Sequence, residues 1–474
     1  MSQDSAKTAS LGHVKNMTVG KPWKLITGFA IPVFLSQLFQ QLYNAIDSLV
    51  VGHFLGTEAL AAVSSSGTLI FLLISFFVGT SMGAGIVISR YFGAKDYDKV
   101  SRAIHTNIAL GVISGAILTV VGILFTPTFL RWMNTDPAVM PEAVAYFRYY
   151  FAGSLAVVLY NNCKGIMNAL GDSKRPLYYL IFSSMLNVVL DLLFIGVFHW
   201  GVWSAAFATT IAQALSFVLC MFHLGKKGTI YQVVLKKLRI HRDMFREIIR
   251  YGLPSGIQNS VIALANVIVQ SNINSFTMVA TAAYGSWAKI EGFAFVPITS
   301  FTMALTTYTG QNLGAGEYER AKQGSRFGIL SAVILAEIIG ILIWIFAPFL
   351  VSLFDSNPEV IRLGTQQARI EALFFCLLAF SHAVAAICRG AGKAFVPMSI
   401  MLAIWCVVRI AYISITMSIV HEIQYIYWAY PLTWGLSSII YLFYYLFSDW
   451  IHGFDEKKRP PWYQTIFAHK HHVK

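Results

Sequence analysis

The stretch Gly93-Ala94-Lys95-Asp96-Tyr97-Asp98-Lys99 returns 221 residues later as Gly314-Ala315-Gly316-Glu317-Tyr318-Glu319-Arg320. The same shift carries Pro127 to Pro348, Asp136-Pro137 to Asn357-Pro358, Ala61-Ala62 to Ala282-Ala283, Gly171 to Gly392 and Pro176 to Pro397. Pro32 and Pro254 match one residue out of register. Chance supplies one such coincidence, whereas a set in common register marks an internal duplication. Long apolar runs extend outward from each copy of the motif. In the first half they lie near 25–51, 60–89, 103–126, 143–163, 176–198 and 202–224. In the second they lie near 246–273, 279–309, 327–350, 366–388, 395–419 and 424–448. About 20 apolar residues span a bilayer, and backbone exposed to lipid must satisfy its own hydrogen bonds as helix. The expected fold is an all-α membrane protein, with twelve transmembrane helices in two pseudo-symmetric six-helix lobes. Six spans bring each half back to the side it started from, so the copies insert in the same orientation, as a parallel repeat.

Composition supports this reading. Hydrophobic residues make up 56% of the 474 and charged ones only 12%, against roughly 25% charged in soluble domains. Too little charge is present to cover a water-facing surface. The net charge of +13 would suit nucleic acid, but the basic residues fall in alternate short loops: Arg90, Lys95, Lys99 and Arg102; Lys164, Lys174 and Arg175; Arg320, Lys322 and Arg326. The opposite loops hold little beyond Arg131 and Arg362. The positive-inside rule makes the basic side cytoplasmic, so membrane topology accounts for the charge and no nucleic-acid partner is expected. The expected division is a cytoplasmic tail over 1–24, a first lobe over 25–224, a basic cytoplasmic linker over 225–245, a second lobe over 246–448 and a cytoplasmic tail over 449–474. The linker region, with Lys236, Lys237, Arg239 and Arg242, reads either as an amphipathic element on the inner leaflet or as a solvated connector. Residues 1–24 have no apolar run and no cleavage site, so no removable leader is expected. Cys163, Cys220, Cys376, Cys388 and Cys406 form no CxxC pair, and neither a disulfide nor a metal site is expected.

Ionisable groups inside hydrocarbon cost about 2.5–3.5 kcal/mol each on insertion scales, and each needs an explanation. The first helix carries Gln37 and, on one helical face, Gln40, Tyr43, Asn44 and Asp47. On the fifth helix Asn187 and Asp191 share a face. At about 1.5 Å of rise per residue, Asp191 stands about 22 Å above the cytoplasmic end, in the outer half of a core about 30 Å thick. Asp47 and Thr209 reach a similar level, so all three can meet. Two carboxylates in a low-dielectric site cannot both ionise cheaply, and such a pair can take up a proton or a monovalent cation. The 221-residue shift places Val408, Tyr412 and Tyr430 at the positions of Asn187, Asp191 and Thr209, and Ile268 or Val269 at that of Asp47. A structural need common to both halves would have kept the polar set in both, so its asymmetry points to function. The second half has Lys289, Glu291, Glu337 and Arg409 instead. Arg409 and Glu291 fall at similar depth, and a structural ion pair between them is expected ahead of substrate contact.

Other signals carry less. Gly79-Thr80-Ser81-Met82-Gly83 fits GxSxG but lies in an apolar helix, where small residues serve helix packing. The sequon Asn16-Met17-Thr18 falls on the cytoplasmic side, and His469, His471 and His472 read as a solvated tail. No Walker motif is present, and no set of nucleophile, base and cleft suggests an enzyme.

Taken together, Asp47 with Gly52-His53-Phe54-Leu55-Gly56-Thr57-Glu58-Ala59-Leu60-Ala61-Ala62-Val63, then Asn187 to Asp191, and Gly310-Gln311-Asn312-Leu313-Gly314-Ala315 resemble the multidrug and toxic compound extrusion family in its prokaryotic branch. The likeness runs from about Lys24 to Phe447. It implies two six-helix lobes in a V, a bacterial plasma-membrane location with both termini cytoplasmic, and substrates that are amphipathic, often cationic drugs or dyes, exported by a monomer. H+ or Na+ would be the coupling ion, with no cofactor. Carried over residue by residue, the coupling site is Asp47, Asn187, Asp191 and Thr209, and the adjoining cavity is lined by Gln40, Tyr43, Asn44, Asn161 and Asn162. Glu291 and Arg409 are the charged candidates of the second lobe. Some relatives place a coupling acid on the seventh helix, where this chain has only Asn259 and Asn266. A flippase for lipid-linked sugars, from the same superfamily, is the alternative implied.

Overall fold

The structure is a computed structural model and describes residues 16–56, 59, 77–79, 81–132, 137 and 139–454. Among these residues the chain forms twelve helices or bent helix pairs. They are α1 (Pro22–Leu55), α2 (described over 77–79 and 81–93), α3 (Tyr97–Trp132), α4 (Met140–Ala152 bent into Ser154–Ala169), α5 (Lys174–Asp191, continued by a π-helical turn Leu192–Val197) and α6 (Trp203–Leu224). The second set is α7 (Arg242–Asn274), α8 (Met278–Gly314), α9 (Tyr318–Ser352), α10 (Pro358–Ala372 bent into Phe375–Gly390), α11 (Phe395–Met401, a π-helical turn Leu402–Val408, then Arg409–Ile419) and α12 (Ile423–Phe447). Eight of these are long and apolar enough to cross a bilayer on their own, and α4 and α10 are spans bent by 46° and 52°. The α12 helix is rich in Tyr and Trp, whose polar tips lower its hydropathy while their rings still pack inward, as with the buried Tyr427, Trp434 and Tyr441. Residues 60–76, the body of the expected second span, and both outer tails (1–15 and 455–474) lie outside the described residues, as do Ala61-Ala62, Asp136 and the tail histidines.

The duplication persists in backbone detail. Lys95 and Gly316, 221 residues apart, both turn the chain at positive φ (57° and 76°), as do Gly171 and Gly392 (84° and 75°). Glycine meets this geometry without penalty and lysine does not. Both bent spans break at the same register. At the second break the Glu337 carboxylate accepts the Cys376 N–H at 3.2 Å, which satisfies one of the donors that a restarted helix leaves open. Glu337 is thus a helix-capping group rather than a site residue. Lys289 is exposed and lies over the Phe354 ring at 5.4 Å. Lys164, expected in a loop, lies inside the second segment of α4.

Packing divides the chain differently from the sequence halves 25–224 and 246–448. One compact unit comprises Leu35–Gly256, and the other comprises Met17–Phe34 together with the chain from Ile257 onward. Helices α1 and α7 therefore each begin in one unit and end in the other. In each, a proline (Pro32, Pro254) lies two residues before the change. A helix-interior proline removes one backbone hydrogen bond and bends the axis, which suits a helix that changes partners there. The start of α1 packs in the second unit, where Leu25, Ile26, Phe29, Ala30 and Val33 share a core with Ala304, Leu305, Tyr308 and Ala383. The start of α7 packs in the first, where Gly252 and Gly256 face Gly83 and Gly79.

The duplicated Gly-Ala motif and its flanks hold these exchanged ends. Around its second copy, the Met17 N–H donates to Gln311 Oε1 at 2.9 Å, Asn312 Nδ2 donates to the Met17 carbonyl at 3.2 Å, and Arg320 Nη2 donates to the Gly20 carbonyl at 2.9 Å. Around the first copy, Arg90 and Tyr91 hold Glu247 at 3.4 and 2.7 Å, and Arg102 holds Asp243 at 2.6 Å. Each repeat thus fastens the lead-in of the other repeat's first helix. Gln311→Ala is expected to strip a buried N–H of its acceptor, at a cost of about 1–3 kcal/mol. The measurement is amide exchange at Met17 to Leu25, which should accelerate while exchange in α5 and α6 does not change.

The basic linker buries its apolar residues and leaves its basic ones exposed. Between α6 and α7 it is an ordered irregular strap with one short 3-10 turn, Leu235–Lys237. Ile230, Tyr231 and Val233 are buried, the Val234 N–H donates to His105 Nε2 at 3.1 Å and the His241 N–H donates to Thr106 Oγ1 at 3.1 Å. Lys236, Lys237, Arg239 and Arg242 remain exposed. Burial of its ring, with Arg239 and Arg102 nearby, holds His241 below the ordinary histidine pKa.

Candidate functional site

The polar stripe of α1 meets the polar face of α5 inside the first unit. Asp47 is 9% exposed and Asp191 is fully buried. Their carboxyl groups are close enough to interact electrostatically. One turn earlier on α5, Asn187 is directed at Thr209 on α6, with Nδ2 3.5 Å from Oγ1. There Tyr43, Ser183, Ser184, Asn187, Thr209 and Gln213 surround a cavity of about 10 Å³, the scale of a single water molecule or small ion. The Tyr43 hydroxyl lies beside the side-chain amides of Gln40 and Gln213. Tyr146, on the first segment of α4, adds a ring in the electrostatic neighbourhood of both aspartates.

Acceptors dominate this cluster. Asp47 Oδ1, both carboxylate oxygens of Asp191, Asn187 Oδ1 and Gln213 Oε1 are buried and receive no N–H or O–H donor among the described residues. Buried polar groups are nearly always paired, and an acceptor without a donor costs about 1–3 kcal/mol. Two full charges about 4 Å apart repel by ~4 kcal/mol even at an effective dielectric constant of about 20. A proton shared between the carboxyls, or a small hard cation among the oxygens, removes both penalties at once. The donor set is all oxygen, as alkali cations require. Asp191 ends the α-helical part of α5, and the π-turn begins at the next residue, with the Phe198 N–H donating to the Leu193 carbonyl at 2.9 Å, an i→i−5 bond. Such turns re-aim the side chains around them and recur at functional positions.

The structure thus brings together all four expected coupling residues, Asp47, Asn187, Asp191 and Thr209, and places Tyr43 and Gln40 beside them. Three other candidates do not line this small cavity. Asn44 is exposed. Asn161 donates to the Val157 carbonyl of its own helix at 2.9 Å. Asn162 ties helices together, accepting from Ser81 Oγ at 2.6 Å and donating to the Asn107 carbonyl at 3.1 Å. Neighbouring residues do not share a helical face, so the two asparagines point to different partners. Gln213 and Tyr146 were not anticipated. Gln213 lies four residues after Thr209 on α6, the spacing that found the other pairs.

In the second unit the expected Arg409–Glu291 ion pair does not form. Arg409 is 2% exposed and donates through Nε and Nη2 to Thr433 Oγ1 at 3.3 and 2.8 Å. Its guanidinium lies against the rings of Tyr430 and Trp405 at 4.5 and 5.3 Å. The fully buried acid of this unit is Glu371, not anticipated from the sequence, which accepts from Trp287 Nε1 at 3.0 Å and Gln367 Nε2 at 2.8 Å.

Two bundles of one duplicated design, one of them enclosing a carboxyl pair beside a small cavity lined by Tyr43, Asn187, Thr209 and Gln213 together with Leu180 and Ala212, define a polytopic membrane transporter. The MatE family model matches residues 32–193 and again 254–415, and the chain belongs to that family, whose members are transporters and not enzymes. It is similar to "Probable multidrug resistance protein YoeA" of Bacillus subtilis (strain 168), at 30% identity over 90% of this chain and 94% of the relative. It is similar also to "Probable multidrug resistance protein YpnP" of the same organism, at 26% identity over 80% of this chain and 84% of the relative. Among solved structures, an outward-facing multidrug resistance MATE family transporter of the MOP superfamily superposes with a TM-score of 0.85 at 24% identity, over 92% of this chain and 98% of that one, which establishes the shared fold.

Proposed function

We propose that this protein is a secondary active multidrug efflux antiporter of the bacterial plasma membrane, exporting amphipathic, often cationic compounds in exchange for H+ or Na+ by alternating access. It works as a monomer with both termini cytoplasmic. The observation that carries the reading is the carboxyl pair Asp47–Asp191 among buried acceptor oxygens that receive no donor. Relatives named for multidrug resistance support the substrate class. Binding of a coupling ion relieves the repulsion between the two carboxyls and changes what α1 and α5 present to a neighbouring compound. By linkage, ion and compound then weaken each other's binding by the same factor. A flippase for lipid-linked sugars calls for an accessible basic surface to hold phosphate, whereas Arg409 is turned onto Thr433 and aromatic rings.

The test is equilibrium binding of a fluorescent cationic dye to purified protein over pH 5–8, with and without sodium. The expected result is a dissociation constant that rises roughly 5- to 150-fold as the competing ion is added. A dissociation constant unmoved by either ion overturns the proposal.

A further inference from the structure

The second unit repeats the helices of the first but distributes charge differently. The 221-residue shift places Tyr412, Val408, Tyr430 and Trp434 at the positions of Asp191, Asn187, Thr209 and Gln213, so nothing there reproduces the acceptor cluster. The charge has moved to neighbouring positions of the same repeat. Glu371 stands where the first unit has Tyr150, Gln367 where it has Tyr146, Arg409 where it has Val188 and Thr433 where it has Ala212.

These groups form one connected cluster. Tyr284, Trp287 and Glu291 share a face of α8. Trp287 donates to Glu371, and the Tyr284 hydroxyl lies 3.0 Å from the Tyr430 hydroxyl. The Tyr430 ring supports the Arg409 guanidinium at 4.5 Å. Both carboxyls, Glu291 and Glu371, feel the Arg409 charge, although its hydrogen bonds go to a hydroxyl. The other titratable side chains facing the cluster are Tyr427 on α12, Cys406 on α11 and His382 on α10, whose ring meets Trp405 edge-on at 5.4 Å. Arginine keeps its proton in any protein environment, so this positive charge cannot be exchanged.

We infer that Arg409 is a built-in cation: it supplies the second unit permanently with the positive charge that the first unit takes up as an exchangeable ion, so that only the first unit contributes to coupling. This rests on the antiport reading and assigns Arg409 a role in setting the number of ions moved per compound. Removing the guanidinium leaves the carboxyls of Glu291 and Glu371 without a fixed counter-charge, and that unit must then take up a mobile ion of its own.

The experiment is the ion-to-compound ratio, read from reversal potentials in proteoliposomes, for wild type, Arg409→Gln, Arg409→Lys and the double variant Glu291→Gln/Arg409→Gln. A wild type without any ion dependence would refute the antiport reading itself, independently of the variants. With a coupled wild type, Arg409→Gln is expected to move one more ion per compound, while Arg409→Lys and the double variant return to the wild-type ratio. Should Arg409→Gln be inactive or poorly folded, the double variant is expected to restore transport or melting temperature. A wild-type ratio in Arg409→Gln, or a double variant no better than the single one, overturns the inference.

Discussion

Asp191→Asn is expected to abolish ion-coupled export while leaving the purified protein as thermally stable as wild type or more so. Both signs have one origin. Asp191 is fully buried, neither of its oxygens receives a donor, and its neighbour is the carboxyl of Asp47. Replacing an uncompensated buried acid with a neutral isostere removes a desolvation cost, and the new amide can donate to Asp47. The exchangeable ion, however, loses half of the charge that binds it, so the linkage between ion and compound, about 1–3 kcal/mol in typical coupled systems, disappears. Dye efflux from everted vesicles with an imposed pH or sodium gradient should fall by about 100-fold or to background. A residue kept for structure behaves oppositely, since its loss lowers stability and activity together. Full coupled transport in this variant, or a falling melting temperature in step with activity, would count against the assignment.

Gly83→Val is expected to prevent folding of the first unit. A Cβ at this position would lie 2.4 Å from the Gly252 Cα and 2.4 Å from the Ile248 carbonyl oxygen, and one at Gly79 would lie 2.2 Å from the Gly256 Cα. The obstacles are backbone atoms, which no rotamer change can move. Glycines four apart on α2 therefore face glycines four apart on α7, the arrangement by which helices in lipid gain van der Waals contact without a hydrophobic drive between them. Forcing the helices apart costs about 3 kcal/mol or more. Fluorescence-detected size exclusion after mild detergent extraction should show little monodisperse protein. Gly285→Val, where added atoms meet open space, should behave as wild type.

The small-residue pattern Gly79-x-x-x-Gly83 was legible in the sequence as a packing surface, but its partner was not. Asp47, Asn187, Asp191 and Thr209 were legible together because helical rise fixes height within a span, and groups of equal height can meet. Height does not fix rotation, which is why Arg409 and Glu291 read as an ion pair although Arg409 turns onto Thr433. The π-turn Leu402–Val408 directly precedes Arg409, and an i→i−5 turn rotates the residues after it by an amount that residue counting omits. Glu371 lies inside the span expected over 366–388, but its full burial at the bend of α10 is a matter of neighbouring helices that the sequence does not carry.

By itself the sequence determined the number of spans, the duplication and the unequal placement of acids between the halves. Each is a property of local apolarity, or of one stretch compared with another, and needs no knowledge of neighbours in space. Only the tertiary structure decided which acids face each other, that Asn162 ties helices together, and that each repeat's motif fastens the lead-in of the other repeat's first helix. Those outcomes depend on contacts such as Met17 with Gln311 and Gly83 with Gly252. Residues so distant along the chain meet through the close packing of whole helices, which no local pattern encodes.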